Sequence, residues 1–215
     1  MKIQKEQNFE RELPFGYKKV LHINAKSAKF GIIFNLISVV ALIIIMAVAV
    51  LLLKIGERLS SDSFEIDPPI MLLAYFVLMV SMIAYIILHE LVHGAAYKHL
   101  TGEKLTFGMS WSCAFCGVPN IFTYRRTAII SVIAPFAVFT VLFIPILAVL
   151  YFTSPLFYLI AAFIFGLHIG GCSGDLYVFY LLTFRFKDAK TLMRDTGPEQ
   201  FFFVPDETET VSFYS

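Results

Sequence analysis

Cysteine is scarce in this chain: Cys113, Cys116 and Cys172 are the only three in 215 residues. That number does not suggest a disulfide framework. Charge is scarce as well. Charged residues make up 15% and the formal net charge is +1, which gives no footprint for nucleic acid. There is no internal repeat and no low-complexity tract, and no insertion between apolar stretches is long enough to fold alone. The first 29 residues read as polar and basic, an arm rather than a secretory leader. What the chain has in excess is apolar side chain. Hydrophobic residues reach 58% and the mean hydropathy is +0.76, which excludes an ordinary soluble domain and indicates a multi-span membrane protein. The 23 Phe and 10 Tyr suit lipid contact and interfacial belts.

Four apolar stretches stand out: Phe30 to Leu53, Ile70 to Tyr97, Thr127 to Phe152 and Pro155 to Phe184. Each exceeds the ~20 residues a helix needs to cross a bilayer core. Pro135 and Pro145 lie in the third, and Gly166, Gly170, Gly171 and Gly174 in the fourth. Both residue types are tolerated where neighbours satisfy the freed backbone. The expected fold is an all-α membrane protein of four transmembrane helices. Its expected organisation is an N-terminal arm over 1–29, a transmembrane domain over 30–184 and a tail over 185–215. Fifteen of the seventeen Lys and Arg fall in the arm, the second-to-third connection or the tail; only Lys54 and Arg58 lie elsewhere. This bias predicts a multi-pass protein of the cell membrane with both termini cytoplasmic. The lipid bilayer is then an obligate partner.

The ionisable side chains well inside these stretches are His89, Glu90, His93, His168 and Asp175. Charge within a membrane is expensive and marks function by default. His89-Glu90-Leu91-Val92-His93 places two histidines four apart on one helix face, where both reach one metal. Glu90 beside them is placed to take a proton from a water on that metal. A hydrolytic zinc site wants a third protein ligand and one open position. Asp175 is the first choice, because a carboxylate at that depth needs a cationic partner. His168, two turns earlier on the same stretch, suits a supporting or substrate-contacting role, and is the alternative ligand if the helix unwinds at Gly170-Gly171. His99, six after His93, is a distant third, pointing about 120° away in a continuous helix.

His-Glu-Leu-Val-His with a later aspartate resembles the site-2 protease family of intramembrane zinc metalloproteases. It is more similar still to a family of small bacterial four-helix membrane proteins labelled putative zincin peptidases, which carry a His-Glu-x-x-His motif and a later Gly-Asp, here Gly174-Asp175. The resemblance covers about Ile70 to Tyr177. Where site-2 proteases have Asn-Pro-Asp-Gly this chain has Ser-Gly-Asp-Leu, and Ala134-Pro135 stands for their intervening Gly-Pro. It implies a zinc cofactor and peptide hydrolysis within or at the edge of the membrane.

Between the second and third stretches, Lys104 to Ser112 alternates with period two, as a strand does. Gly117, Pro119 and Asn120 then predict a turn, and Ile121 to Tyr124 a returning strand. Site-2 proteases have a comparable hairpin. A re-entrant or interfacial hairpin here offers an edge for an extended peptide of a membrane-associated substrate. Cys113-x-x-Cys116 reads as turn residues rather than half a metal site. Cys172 reads as packing, and Asn35 and Ser38 as interhelical hydrogen-bond partners. Asn120 and His168 are candidates for a second electrophile. The tail, with Phe201 to Phe203, is expected to cap the cytoplasmic opening or to bind a partner. The functional expectation is an intramembrane zinc metallopeptidase with Glu90 as general base. The alternative is a non-enzymatic zinc-binding scaffold or metal carrier, which has no need of Glu90.

Overall fold

The computed structural model describes residues 8–58, 67–110 and 114–206. In chain order these form strands β1 (Phe9–Glu10) and β2 (Tyr17–Asn24), helices α1 (Ala28–Ile55) and α2 (Pro68–Thr101), and strands β3 (Thr106–Met109), β4 (Ala114–Gly117) and β5 (Phe122–Tyr124). Helices α3 (Arg125–Thr153), α4 (Pro155–Gly171) and α5 (Ser173–Tyr180) follow, then a π-helical turn over Leu181–Arg185 and strands β6 (Leu192–Asp195) and β7 (Glu199–Pro205). Four helical segments are long and apolar enough to cross a membrane: Ala28–Ile55, Pro68–Thr101, Arg125–Thr153 and Pro155–Arg185.

Helix ends follow local chemistry. Ser154 caps α4: its hydroxyl accepts from the Phe157 N–H at 3.5 Å, and Pro155 takes the first helical position, where a missing N–H costs nothing. Gly102 ends α2 with φ at 71°, a left-handed conformation that glycine adopts without strain. The fourth span is not one helix. It breaks at Cys172, whose N–H bonds the His168 carbonyl at 3.1 Å, next to the Gly170-Gly171 pair.

The chain divides into two compact units. The first comprises 1–31, 90–134 and 175–215. It holds a five-stranded antiparallel sheet in the order β1-β5-β6-β7-β2 and the separate β3-β4 hairpin. Its core gathers Ile23, Ala128, Val132, Val178, Leu181, Leu182, Met193 and Phe202. Arg125 at the start of α3 donates to the Leu182 carbonyl at 2.6 Å, a group within the π turn. The second unit comprises 32–89 and 135–174 and is all helical. Here α4 approaches α1 so closely that a Cβ on Gly170 would lie 2.6 Å from Ser38 Cα, and Ser38 Oγ donates to the Gly170 carbonyl at 2.8 Å.

The molecule is therefore mostly helical, with the hairpin and also a sheet absent from the all-α expectation. The hairpin differs in register from the sequence reading. The return strand is Ala114–Gly117, with Thr106 opposite Gly117. Phe122–Tyr124 instead pairs with β1 and β6. A shorter loop closes at lower entropic cost, which favours the nearer partner. Trp111, Ser112 and Cys113 lie outside the described residues. Phe202 and Phe203 are buried in β7, so two residues of the Phe201–Phe203 triplet pack inward.

Candidate metal centre

Along α2, Tyr85, His89, His93 and Tyr97 recur at every fourth position, and all four are buried. Four residues advance a helix by about 400°, so the stripe keeps to one face and drifts about 40° per step. Before His89 the helix carries no charged side chain, and Leu72 and Phe76 are strongly exposed.

In the first unit, His93 Nδ1 lies 2.8 Å from the carbonyl oxygen of Ser131 on α3. A carbonyl only accepts, so Nδ1 carries the proton, and the lone pair of the neutral ring is on Nε2. That carbonyl is available because Pro135, four residues further on, has no N–H to give it. His93 Nε2 stands 3.4 Å from Asp175 Oδ2. A lone pair and a carboxylate oxygen repel at this distance unless a cation lies between them. A proton on Nε2 makes an ion pair; a divalent metal makes a coordination site. Glu90 is half-buried and, like Asp175, acts electrostatically on His93.

The neighbourhood of His93 is closely packed. At Gly94 a Cβ would stand 2.7 Å from the tip of Phe107 and 3.1 Å from Leu105, so the start of the β3-β4 hairpin rests on the helix beside His93. One turn on, Tyr97 donates to Asp195 Oδ2 at 2.7 Å, and the Gly197 N–H donates to Oδ1 at 2.9 Å. Burial pushes the Asp195 carboxyl up to about 6, against the opposing pull of these two bonds. Gly197, with φ at 99°, abuts Gly117 so tightly that a Cβ on Gly117 would sit 2.3 Å from the Gly197 nitrogen.

In the second unit, His89 Nδ1 lies 3.0 Å from the Tyr85 hydroxyl, and the same hydroxyl lies 3.1 Å from His168 Nδ1. His168 Nε2 is 3.1 Å from Thr140 Oγ1, and Cys172 Sγ is 3.6 Å from His168 Nδ1. His168 is fully buried among the rings of Phe136, Phe139, Phe143 and Phe165. His89, His168 and Cys172 offer ligand atoms that all lie within 4.8 Å of one another.

The other sequence candidates fall outside these arrangements. His99 and Asn120 are exposed. Cys116 is buried, and burial, followed by the charge of Asp195, pushes its thiol up to about 12, which makes it inert. Several participants were not anticipated from sequence, Thr140 among them. Tyr85 is signalled by its place four residues before His89, and the Ser131 carbonyl by Pro135 four residues after it. Nothing in the sequence marks Asp195, whose partner is distant in the chain.

No curated protein and no solved structure matches this chain. Residues 82–190 do match a family described as "Putative zincin peptidase", a name that implies zinc. The matched span holds His89, Glu90, His93, His168 and Asp175 and is more than half of the chain, which therefore belongs to that family.

Proposed function

We propose that the protein is a zinc metallopeptidase that cleaves membrane-associated proteins or peptides, with His89, His93 and Asp175 as ligands and Glu90 as general base. The observation that carries this reading is His93, whose Nδ1 meets the Ser131 carbonyl at 2.8 Å while its Nε2 faces the Asp175 carboxylate at 3.4 Å. His89 precedes it by one turn on the same helix. Two imidazole nitrogens and a carboxylate suit zinc and leave a position for substrate or water. When bound, zinc would acidify a water and polarise a peptide carbonyl. Glu90, adjacent to the first histidine, accepts the proton released and passes it to the departing amine. A scaffold or carrier needs the same ligands but not this carboxylate.

Two further features support the membrane setting and the substrate class. Strands from the arm, from the α2–α3 connection and from the tail share one sheet, and strands that exchange backbone hydrogen bonds lie on one side of a bilayer. With most of the Lys and Arg in these same segments, that side is cytoplasmic. Among the described residues the β3-β4 hairpin is two-stranded, and Phe107, which is 48% exposed, reaches the helix beside His93. An extended substrate adds to such an edge by backbone hydrogen bonds.

Elemental analysis of the detergent-purified full chain tests the ligand set. Wild type and Glu90→Ala should each carry about one zinc per chain, and Asp175→Ala should lose most of it. Zinc kept without Asp175 but lost in His168→Ala and Cys172→Ala moves the site to the His89–His168–Cys172 group. No zinc in the wild type after reconstitution overturns the reading. Zinc without Glu90-dependent hydrolysis of a membrane-anchored reporter peptide leaves the scaffold or carrier.

A further inference from the structure

The proposed zinc site leaves Tyr85, His168 and Thr140 without a stated role, although they form one connected, buried polar chain. We propose that Tyr85 and His168 are positioning residues, which hold His89 in the tautomer that can ligate through Nε2. This proposal rests on the zinc reading above and deepens it.

The Tyr85 hydroxyl faces Nδ1 of both histidines, at 3.0 Å from His89 and 3.1 Å from His168. It has one proton, so it donates to one ring and accepts from the other. Only two directions are self-consistent. In the first, His89 Nδ1–H donates to Tyr85, Tyr85 donates to His168 Nδ1, and His168 Nε2–H donates to Thr140 Oγ1. In the second every donor and acceptor is exchanged, and His89 Nε2 holds a proton. A protonated Nε2 cannot bind metal, so zinc binding through that nitrogen requires the first direction. His93 has reached the equivalent state by a simpler route, since its Nδ1 faces a backbone carbonyl.

Water is no substitute in this chain. His168 is 0% exposed and ringed by phenylalanines, and Tyr85 lies edge-on to Phe139 at 5.3 Å between centroids. A polar group there that loses its partner keeps the full desolvation penalty. The arrangement is therefore directional as well as stabilising: Tyr85 relays the acceptor character of His168 to the proton on His89. Hydrogen-bond partners of this kind fix a ligand histidine's tautomer and orientation and are worth about 10–100-fold in metal affinity.

The test has two readouts, neither of which needs activity. Nitrogen-15 NMR of histidine-labelled full-length protein in detergent micelles, free of zinc, reads the His89 tautomer. The expected state is Nδ1–H in the wild type, with that preference lost in Tyr85→Phe. An Nε2–H tautomer in the wild type overturns the proposal whether or not the metal reading stands. Competition with a chromophoric chelator then measures zinc affinity. Tyr85→Phe should bind about 10–100-fold more weakly while keeping wild-type helix content and elution volume. His168→Asn, whose amide oxygen can still accept from Tyr85, should stay near wild type, and His168→Leu should fall with Tyr85→Phe. Unchanged affinity in Tyr85→Phe, or Asn and Leu variants that behave alike, overturns the relay. Failure of the wild type itself to bind zinc overturns the metal reading instead, and an Nδ1–H tautomer found there still upholds the direction of the chain.

Discussion

The two units differ in the balance of apolar side chains they bury and expose. In the first, Leu181, Leu182, Met193 and Phe202 are almost fully buried around the sheet and helix ends, as the hydrophobic effect requires in water. In the second, Leu72, Phe76 and Val141 are each at least 65% exposed, while Ala162, Tyr158 and His168 lie inside. Lipid tails are as apolar as leucine, so burying leucine against a neighbouring helix gains little there. Small residues that let backbones approach, and hydrogen bonds between side chains, hold the helices instead. The contrast extends to the histidines of the motif. His93 is oriented by a main-chain carbonyl, which point mutation cannot delete, whereas His89 is oriented by side chains, each of which can be removed.

Four measurements would break or sharpen this contrast. Phe202→Ala should destabilise the first unit by about 3–5 kcal/mol, read as faster amide exchange in β6 and β7. A change well below that would mean the sheet is not built on its apolar core. Asp195 should make the same unit sensitive to pH. Its carboxyl is raised from 3.8 to about 6 in the fold, so the folded state binds the proton more tightly. The associated stability is fully present below about pH 4 and is lost as pH rises through 6, amounting to about 3 kcal/mol. Asp195→Asn, which retains an acceptor, should flatten thermal stability over that window; a slope left intact would place its origin elsewhere.

In the second unit the sensitive positions are the small ones. Gly170→Ala should cost about 1–3 kcal/mol, because its Cβ would meet Ser38 backbone at 2.6 and 2.8 Å. Gly171→Ala, whose nearest neighbour is the Tyr85 hydroxyl at 3.9 Å, should be tolerated. Equal effects in steric trapping or thermal unfolding would contradict close helix approach. Leu72→Ala, on a residue 72% exposed, should change stability by less than about 0.5 kcal/mol. A large loss there would show that this face is covered by protein rather than lipid.

The spans were legible in the sequence because a membrane demands long apolar runs. Phe30 to Leu53 corresponds to Ala28–Ile55, and Thr127 to Phe152 to Arg125–Thr153. The break in the fourth span was only half legible: the Gly170-Gly171 pair permitted it, but its place at Cys172 depends on packing. The sheet was not legible, because β2 and β7 are far apart in the chain and each takes its register from the other, with His22 opposite Phe201. At the candidate site, the four-residue spacing of His89 and His93 is local to one helix turn and was readable. The pairing of His93 with Asp175 joins two helices and was inferred from the energetic cost of an isolated carboxylate rather than from any pattern.

The strand order β1-β5-β6-β7-β2 also fixes a sequence of events during biosynthesis. Strand β2 leaves the ribosome among the first elements, yet among the described residues it pairs with β7, the last strand described. Pairing across so much chain is slow, since loop closure precedes any gain from contact. Until β7 arrives β2 is an open edge, and until β6 arrives Tyr97 lacks Asp195, so the sheet beside His93 closes only after all four spans have been translated. A nascent chain whose support assembles last has a built-in delay before its histidine face is fully ordered.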